Sequence, residues 1–322
     1  MPKKIDQNCS LHRTSIGGQA VIEGVMMRGP KSIATAVRKP DGEIIVEEQD
    51  LGKVRTGKFV KLPIIRGCVN FFDSMIVGVK ALMFSAKFFD LDEEGLPVEE
   101  EPSKFEQWLE KKLDSEAAMN VVLYTSVILS LLLSVGLFIL LPGLIGEGIR
   151  ALWDNHFAVT LVEGIIRIGI FIIYLALVSQ MKEIKRVFMY HGAEHKTIHC
   201  YEHGEELTVE NVKKHTRLHP RCGTSFLLIV MVVSMLIFFL IPKMFFLYRL
   251  LLRLALLPVI AGISYEIIKF AGRHDNRFTR IISAPGMWFQ KITTREPEDS
   301  MIEVAIASMN AVIPENKEED KW

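Results

Sequence analysis

Residues 118–145 read AMNVVLYTSVILSLLLSVGLFILLPGLI, a run of 28 residues without one charged side chain. A helix of about 20 apolar residues crosses the hydrocarbon core of a bilayer, and its backbone must satisfy its own hydrogen bonds there. Three further apolar runs follow at 159–181, 224–246 and 248–270. We therefore predict a mainly α-helical, polytopic membrane protein with about four transmembrane helices, which form a membrane domain over residues 118–271.

The N-terminal region has the pattern of a small β-rich element. We expect a disordered polar tail over residues 1–15 and the β element over residues 16–62. Its clearest signal is the turn sequence Lys39-Pro40-Asp41-Gly42, which lies between two strand-like runs and predicts a hairpin. The predicted strands cover residues 19–28, 32–38 and 43–48.

Residues 63–117 are predicted to hold amphipathic helices at the membrane interface. From 63 to 89, charged side chains recur every seven residues beside a stripe of small residues that permits close packing. Burying such charges at a bilayer centre costs roughly 2.5–3.5 kcal/mol each, so an interfacial helix is favoured and a transmembrane helix is the alternative. An acidic linker and a helix that begins at Ser103, with a capping box to Glu106, follow. The charges are Arg66, Asp73, Lys80 and Lys87, and the small residues are Gly67, Asn70, Ser74, Gly78, Ala81 and Ser85.

Lysine and arginine residues give the orientation. They are concentrated in the histidine-rich loop 182–223 and directly after the fourth apolar run, so the positive-inside rule places this loop and both termini in the cytoplasm. The C-terminal segment, residues 272–322, is predicted to be cytoplasmic and to contain an amphipathic helix that ends at Pro314. The four cysteines contain no C-x-x-C pair, and the formal net charge is zero, so neither a disulfide framework nor nucleic-acid binding is expected.

The segment with the most chemistry is Tyr190-His191-Gly192-Ala193-Glu194-His195-Lys196 in the histidine-rich loop. Two histidines four residues apart lie on one face of a helix. In the H-x-x-E-H arrangement the two imidazoles hold a metal, and the carboxylate handles a proton. We therefore expect His191 and His195 to bind a divalent metal, for which Zn²⁺ is best suited, with Glu194 as the catalytic base.

A catalytic zinc commonly takes three protein ligands and a water molecule. Three residues are candidates for the remaining position: Glu266 in the cytoplasmic half of the fourth apolar run, and His219 and Cys222 before the third. An ion pair is the alternative for Glu266, and loop capping is the alternative for His219 and Cys222. In the β element, Glu23 and Arg28 either face the site and position substrate or are outward residues of an edge strand.

Three stretches together resemble the YqhQ-like family of bacterial integral membrane proteins, a family of undefined function that is sometimes labelled as predicted metal-dependent enzymes. They are residues 17–28 (GGQAVIEGVMMR), 191–196 (HGAEHK) and 219–226 (HPRCGTSF). The resemblance covers about residues 16–313. It implies one multi-pass unit in a bacterial inner membrane, and it implies that Gln19 and Arg221 belong to the family pattern, as further candidates for positioning a substrate.

These observations favour a metal-dependent membrane enzyme, most simply a zinc hydrolase that acts at the cytoplasmic membrane face. The alternative is a non-catalytic membrane assembly or interaction factor in which the histidine cluster is structural. The hypothesis of a metal transporter or sensor has less support, because the first three apolar runs contain no series of metal-ligand side chains that could form a buried pathway. The expected partners are the lipid bilayer and either other membrane proteins or further copies of this chain.

Overall fold

The computed structural model describes residues 12–51, 62–88, 115–153, 155–274 and 276–322, without the side chains of 115–120 and Leu123. Most of the predicted N-terminal tail, the acidic linker and the start of the helix predicted from Ser103 lie outside the described residues. The chain divides into two units. The first unit comprises Met1–Ala86, Leu175–Val230 and Ala261–Trp322, and the second comprises Lys87–Tyr174 and Met231–Ile260.

The first unit contains a four-stranded antiparallel sheet, in agreement with the predicted β element. The predicted hairpin turn forms: the Gly42 N–H donates to the Lys39 carbonyl at 2.9 Å, and Gly42 has φ of 89°, which glycine adopts without steric cost. The strands follow one another in the order β1 (Gly17–Val21), β2 (Gly24–Arg28), β3 (Ser32–Arg38) and β4 (Ile44–Asp50).

The single strand predicted over residues 19–28 is wrong, because the chain reverses within it. Val21 pairs with Gly24, so Ile22 and Glu23 form a two-residue turn between β1 and β2. Glu23 has φ of 48°, a left-handed conformation that is uncommon outside glycine. The continuous apolar pattern concealed this turn, since neither turn residue is of a typical turn-forming type.

The helices are α1 (Ile65–Ala86), α2 (Ser115–Val135), α3 (Leu141–Leu152), α4 (His156–Val178), α5 (Lys182–Glu202), α6 (Val209–Lys213), α7 (Gly223–Phe238), α8 (Phe246–Arg273), α9 (Arg277–Thr293) and α10 (Asp299–Asn310). A π-helical turn, Gly136–Leu140, joins α2 to α3.

Four helical segments in the described part of the chain are long and apolar enough to cross a membrane: Ile65–Ala86, Tyr124–Leu152, His156–Val178 and Phe246–Arg273. The number of candidate spans is four, as predicted, but one predicted run is not among them and another helix is. The run predicted over 224–246 is helical only to Phe238 and is shorter than a span. Pro242 limits how far this helix can extend, because proline lacks the N–H a helix needs and disfavours helical geometry in the residue before it.

Helix α1 takes the place of that run among the candidate spans, and its stripe of small residues is its packed face. Gly67, Gly78, Ala81 and Ser85 are its buried residues. A Cβ atom on Gly67 would lie 2.8 Å from the Gly262 Cα atom, so this contact requires glycine. The charges of α1 are partly compensated, since Asp73 pairs with Arg28. An interfacial position for α1 stays a prediction.

The hydrophobic core of the first unit lies between the sheet and two helices, α5 and α10. Strand residues Val25, Met27 and Ala36 contribute to it, together with Tyr190 and Ile198 from α5. Helix α10 buries the face predicted for the C-terminal helix, with Ile302, Ala305 and Met309 inaccessible to solvent. This core fixes α5, and therefore its histidines, against the sheet.

In the second unit, buried charges are paired between helices. The Glu163 carboxylate contacts both Arg167, at 3.3 Å, and Arg253. All three side chains are almost inaccessible. A charge in an apolar interior is tolerated when it is paired and hydrogen-bonded, so these contacts compensate for the charged residues within the apolar runs.

Candidate metal centre

Helix α5 presents the two histidines of the H-x-x-E-H segment side by side. The helix ends at Glu202, and Gly204 follows it with a φ of 70° and an N–H bond to the Tyr201 carbonyl, which are typical of a glycine after a helix C-cap. The rings of His191 and His195 are 4.4 Å apart between centroids, as the four-residue spacing predicts. A Cβ atom at Gly192, between them, would lie only 2.0 Å from the Arg295 carbonyl oxygen.

Backbone carbonyls hold both rings by the same nitrogen. Nδ1 of His191 donates to the Thr293 carbonyl at 2.9 Å, and Nδ1 of His195 donates to the Arg217 carbonyl at 2.6 Å. A carbonyl cannot donate, so the proton lies on Nδ1, and in the neutral ring Nε2 carries a lone pair. Histidine ligands of metals are usually oriented in this way.

The third ligand atom of the cluster is the Cys222 thiol, which lies directly before α7. Cys222 Sγ is 3.2 Å from His191 Nε2. One ligand atom from each of His191, His195 and Cys222 lies within 4.8 Å of the other two. Nε2 of His195 is buried and has no hydrogen-bond partner among the described residues, an unsatisfied position that a bound cation would fill.

Charge within the cluster favours the thiolate. Burial raises the pKa of Cys222, but the neighbouring His195 and His191 outweigh burial and lower the pKa well below 9.0. For His191, burial has the opposite effect and lowers the pKa, but the Cys222 thiolate and Glu194 outweigh burial and raise it to about 9. The metal-free cluster is therefore an imidazolium–thiolate pair. Thiolate is the form of cysteine that binds metals.

Glu194 lies beside the cluster, with its carboxyl group buried. One carboxyl oxygen has no hydrogen-bond partner among the described residues, while the backbone N–H of Gly18 in β1 donates to the group. Burial raises the pKa of Glu194, against the opposing effect of His191 and His195. Glu194, His195 and Cys222 line one cavity of about 240 Å³. A buried carboxylate with a raised pKa beside a cavity has the properties of a general base.

A second group of ligand-type side chains, His199, Glu202 and His219, lies next to the first. Its carboxylate is already neutralised, since Glu202 contacts Arg221 and accepts from the Thr14 N–H at 2.9 Å. Burial raises the pKa of Glu202, but His219 and Arg221 lower it to about 2. The adjacent arginine opposes a second cation, so the group of His191, His195 and Cys222 is the better metal site.

The histidine rings of the two groups form one row. The centroid of His219 is 5.5 Å from that of His195 and 4.9 Å from that of His199. A third group, Cys200, Glu205 and His215, lies further along α5 and its loop. Burial raises the pKa of Cys200 to about 11, so this thiol stays protonated and is a poor ligand.

The other predicted site residues fall into two sets. Gln19, Arg28 and Arg221 line the same cavity as Glu194, although Arg28 is paired with Asp73 and Arg221 with Glu202. The other two, Glu266 and Glu23, do not line this cavity, and each forms an ion pair with an arginine.

Glu266 pairs with Arg66 through both carboxylate oxygens, with Oε1 at 2.6 Å from the Arg66 Nε atom. Glu23 accepts from Arg186 and, at 3.1 Å, from the Tyr190 hydroxyl. The geometry thus favours Cys222 as the third ligand and gives Glu266 the ion pair that was its alternative.

Several contributors are backbone groups that the residue types could not reveal: the carbonyls of Thr293 and Arg217 and the N–H of Gly18. Gly192 was the available signal, because glycine inside a helix commonly marks a close backbone approach. No residue type predicted which segment it approaches.

Comparison with known proteins places the chain in a family. Residues 62–315 match the family model described as "Protein of unknown function (DUF1385)". The chain is 37% identical over 301 residues to "Uncharacterized protein YqhQ" of Bacillus subtilis (strain 168), which covers 92% of each protein. No solved structure matches the chain. The match spans the helices and the candidate metal centre, and the chain belongs to the DUF1385 family, in agreement with the resemblance of its three sequence stretches to YqhQ-like proteins.

Proposed function

We propose that this protein is a metal-dependent membrane enzyme, most simply a zinc hydrolase that acts at the cytoplasmic membrane face. The observation that carries the proposal is the buried, unpartnered Nε2 atom of His195 beside His191 Nε2 and the Cys222 thiolate. Two nitrogens and one sulfur match the ligands that zinc prefers, and three protein ligands leave a position for water.

The residues present fit a metal. His191 and His195 would bind through Nε2, with Thr293 and Arg217 holding the rings, and Cys222 would bind through Sγ. A zinc ion in such a site acts as a Lewis acid and lowers the pKa of water to about 7. The site is part of the same unit as the sheet, whose strand β1 supplies the N–H bond to Glu194.

Glu194 is the proposed general base. Its unpartnered oxygen would accept a proton from water as the water oxygen adds to the substrate, and the protonated Glu194 would deliver that proton to the leaving group as the scissile bond breaks. The reaction consumes one water molecule and needs no other reactant. A base in this role typically contributes about 10²–10⁴-fold to the rate.

The proposed location rests on the four apolar candidate spans and on the distribution of lysine and arginine. Both support a position of the histidine-rich segment next to the lipid on the cytoplasmic side. Because net charge and composition favour no nucleic-acid partner, substrates embedded in the membrane are the natural class.

The test separates ligand from base. Metal is measured by mass spectrometry in the detergent-purified protein, and products are followed by mass spectrometry after incubation with membranes from a strain that lacks the protein. We expect His195→Ala to lose the metal, and Glu194→Gln to keep the metal but form no product. Normal metal content in His195→Ala, or product formation by Glu194→Gln, would refute the proposal and favour the assembly-factor alternative.

A further inference from the structure

Two cavities of the first unit lie side by side next to the candidate metal centre. The smaller, of about 240 Å³, contains Glu194, His195 and Cys222. The larger, of about 540 Å³, is a groove with apolar walls from α1, α7 and α8, among them Phe71, Val79, Leu82, Phe226, Leu227 and Ile268. The two have five lining residues in common: Gln19, Ser74, Arg221, Gly223 and Trp322. The two cavities are therefore neighbours, and the shared residues form the junction between them.

The contrast between the cavities specifies an amphiphile. The groove falls within the volume range of small-molecule sites, about 300–1,000 Å³, and its walls offer mainly apolar contacts. At the junction, Arg221 has a buried Nε atom without a partner among the described residues. Such a donor requires an acceptor oxygen. The fitting ligand thus has an oxygen-rich linkage at the junction and a long apolar tail.

A lipid fits better than a peptide. An extended peptide substrate commonly adds a strand to a sheet edge, and β1 is the edge strand next to the polar cavity. However, the Gly18 N–H of β1 is already bonded to Glu194, and Thr14, just before β1, is bridged to Lys321. An acyl chain needs no backbone pairing, and two of the helices that form the groove, α1 and α8, are candidate membrane spans.

We propose that the substrate is a membrane lipid whose acyl chain lies in this groove and whose ester or phosphoester linkage lies in the polar cavity. The hydrolytic step rests on the proposed function, whereas lipid binding does not. In that step the water oxygen bonds to the carbonyl carbon or phosphorus, the C–O or P–O bond breaks, and the proton passes through Glu194 to the departing oxygen.

The experiment uses the full chain in nanodiscs that contain a phospholipid with a photoreactive group in its acyl chain. Crosslinked sites are mapped by proteolysis and mass spectrometry. Val79→Trp fills the groove from α1, and Leu227→Trp fills it from α7. Ile76→Trp is the matched control, because Ile76 is an exposed α1 residue outside the groove.

In the wild type, we expect the adducts to be concentrated on the groove walls. In both groove variants, the yield of these adducts should fall at least about tenfold, which is the loss of affinity when about two methylenes of the acyl chain lose their burial. Ile76→Trp should retain them. Adducts spread evenly over all exposed apolar helix faces, or unchanged in both groove variants, would overturn the proposal, as would adducts of a photoreactive membrane peptide in place of the lipid.

The same measurement on His191→Ala separates the two proposals. Groove adducts in this variant together with normal metal content would leave the lipid site standing while the metal centre fails. A wild-type protein that binds stoichiometric metal but forms no groove adducts would leave the metal centre standing while the lipid site fails.

Discussion

The imidazolium–thiolate pair predicts how metal affinity depends on pH. A metal must displace the proton of His191, whose pKa is about 9 in the metal-free protein. The proton is bound below pH 9, so apparent affinity should fall about tenfold for each unit of decreasing pH. At pH 7, two units below that pKa, the competition amounts to about 100-fold, or roughly 2.7 kcal/mol.

The Cys222→Ser variant changes this dependence. The Cys222 thiolate raises the pKa of His191, so its removal leaves burial to lower that pKa. At pH values above the ordinary pKa range of histidine, the variant should therefore bind metal with little dependence on pH. It should also bind more weakly than wild type by more than the 10- to 100-fold typical for loss of an outer partner of a ligand. Cys68→Ser is the control, since Cys68 belongs to none of the ligand groups.

The assay is calorimetric titration with Zn²⁺ at several pH values and in buffers of different ionisation enthalpy, which gives the number of protons released. Near pH 7.5 we expect about one proton per metal for the wild type and a fraction of one for Cys222→Ser. Wild-type affinity that is constant between pH 6 and 9 would refute the imidazolium–thiolate assignment.

Three further outcomes are expected. Gly192→Ala should lower the free energy of unfolding by about 1–3 kcal/mol and reduce metal content, because its Cβ atom would meet the Arg295 carbonyl. The control Gly169→Ala has open space around the new Cβ atom and should change neither quantity. Iodoacetamide should alkylate metal-free Cys222 at a rate nearly independent of pH between 7 and 9. The alkylation rate of Cys200, which has a pKa of about 11, should rise about tenfold for each pH unit. Both rates can be followed by mass spectrometry, and the same pH dependence for the two cysteines would contradict this prediction. Glu266→Gln should leave metal stoichiometry unchanged, and a loss of metal would make Glu266 a ligand.

Local patterns predicted the elements of the site better than its assembly. The four-residue spacing was sufficient to place His191 and His195 on one helical face, because that geometry is a property of the helix itself. The choice among Cys222, His219 and Glu266 was open, because it depends on contacts between segments distant in the chain. Only the fold brings Cys222 within 3.2 Å of His191 and Glu266 to Arg66.

The same distinction applies to the fold. Hydropathy predicted the number of candidate spans, and a turn signal predicted the β element. Hydropathy nevertheless extended the third run past Pro242, and the strand pattern missed the turn at Ile22 and Glu23. Hydropathy averages over a window, whereas a proline or a left-handed residue acts at one position. The charges of α1 argued against a span, because a sequence does not reveal that Arg66 and Asp73 have partners.

The two carbonyls that hold the histidines have a consequence for the folded state as a whole. Thr293 is 102 residues from His191 in the chain and Arg217 is 22 residues from His195, so a cation bound at His191 and His195 favours only the conformation in which all three segments are assembled. Any ligand that binds the folded chain alone stabilises it by mass action, by about 1.4 kcal/mol for each tenfold rise in free ligand above its Kd. With the proposed zinc site, the melting temperature of this protein should therefore rise with the free zinc concentration of its surroundings.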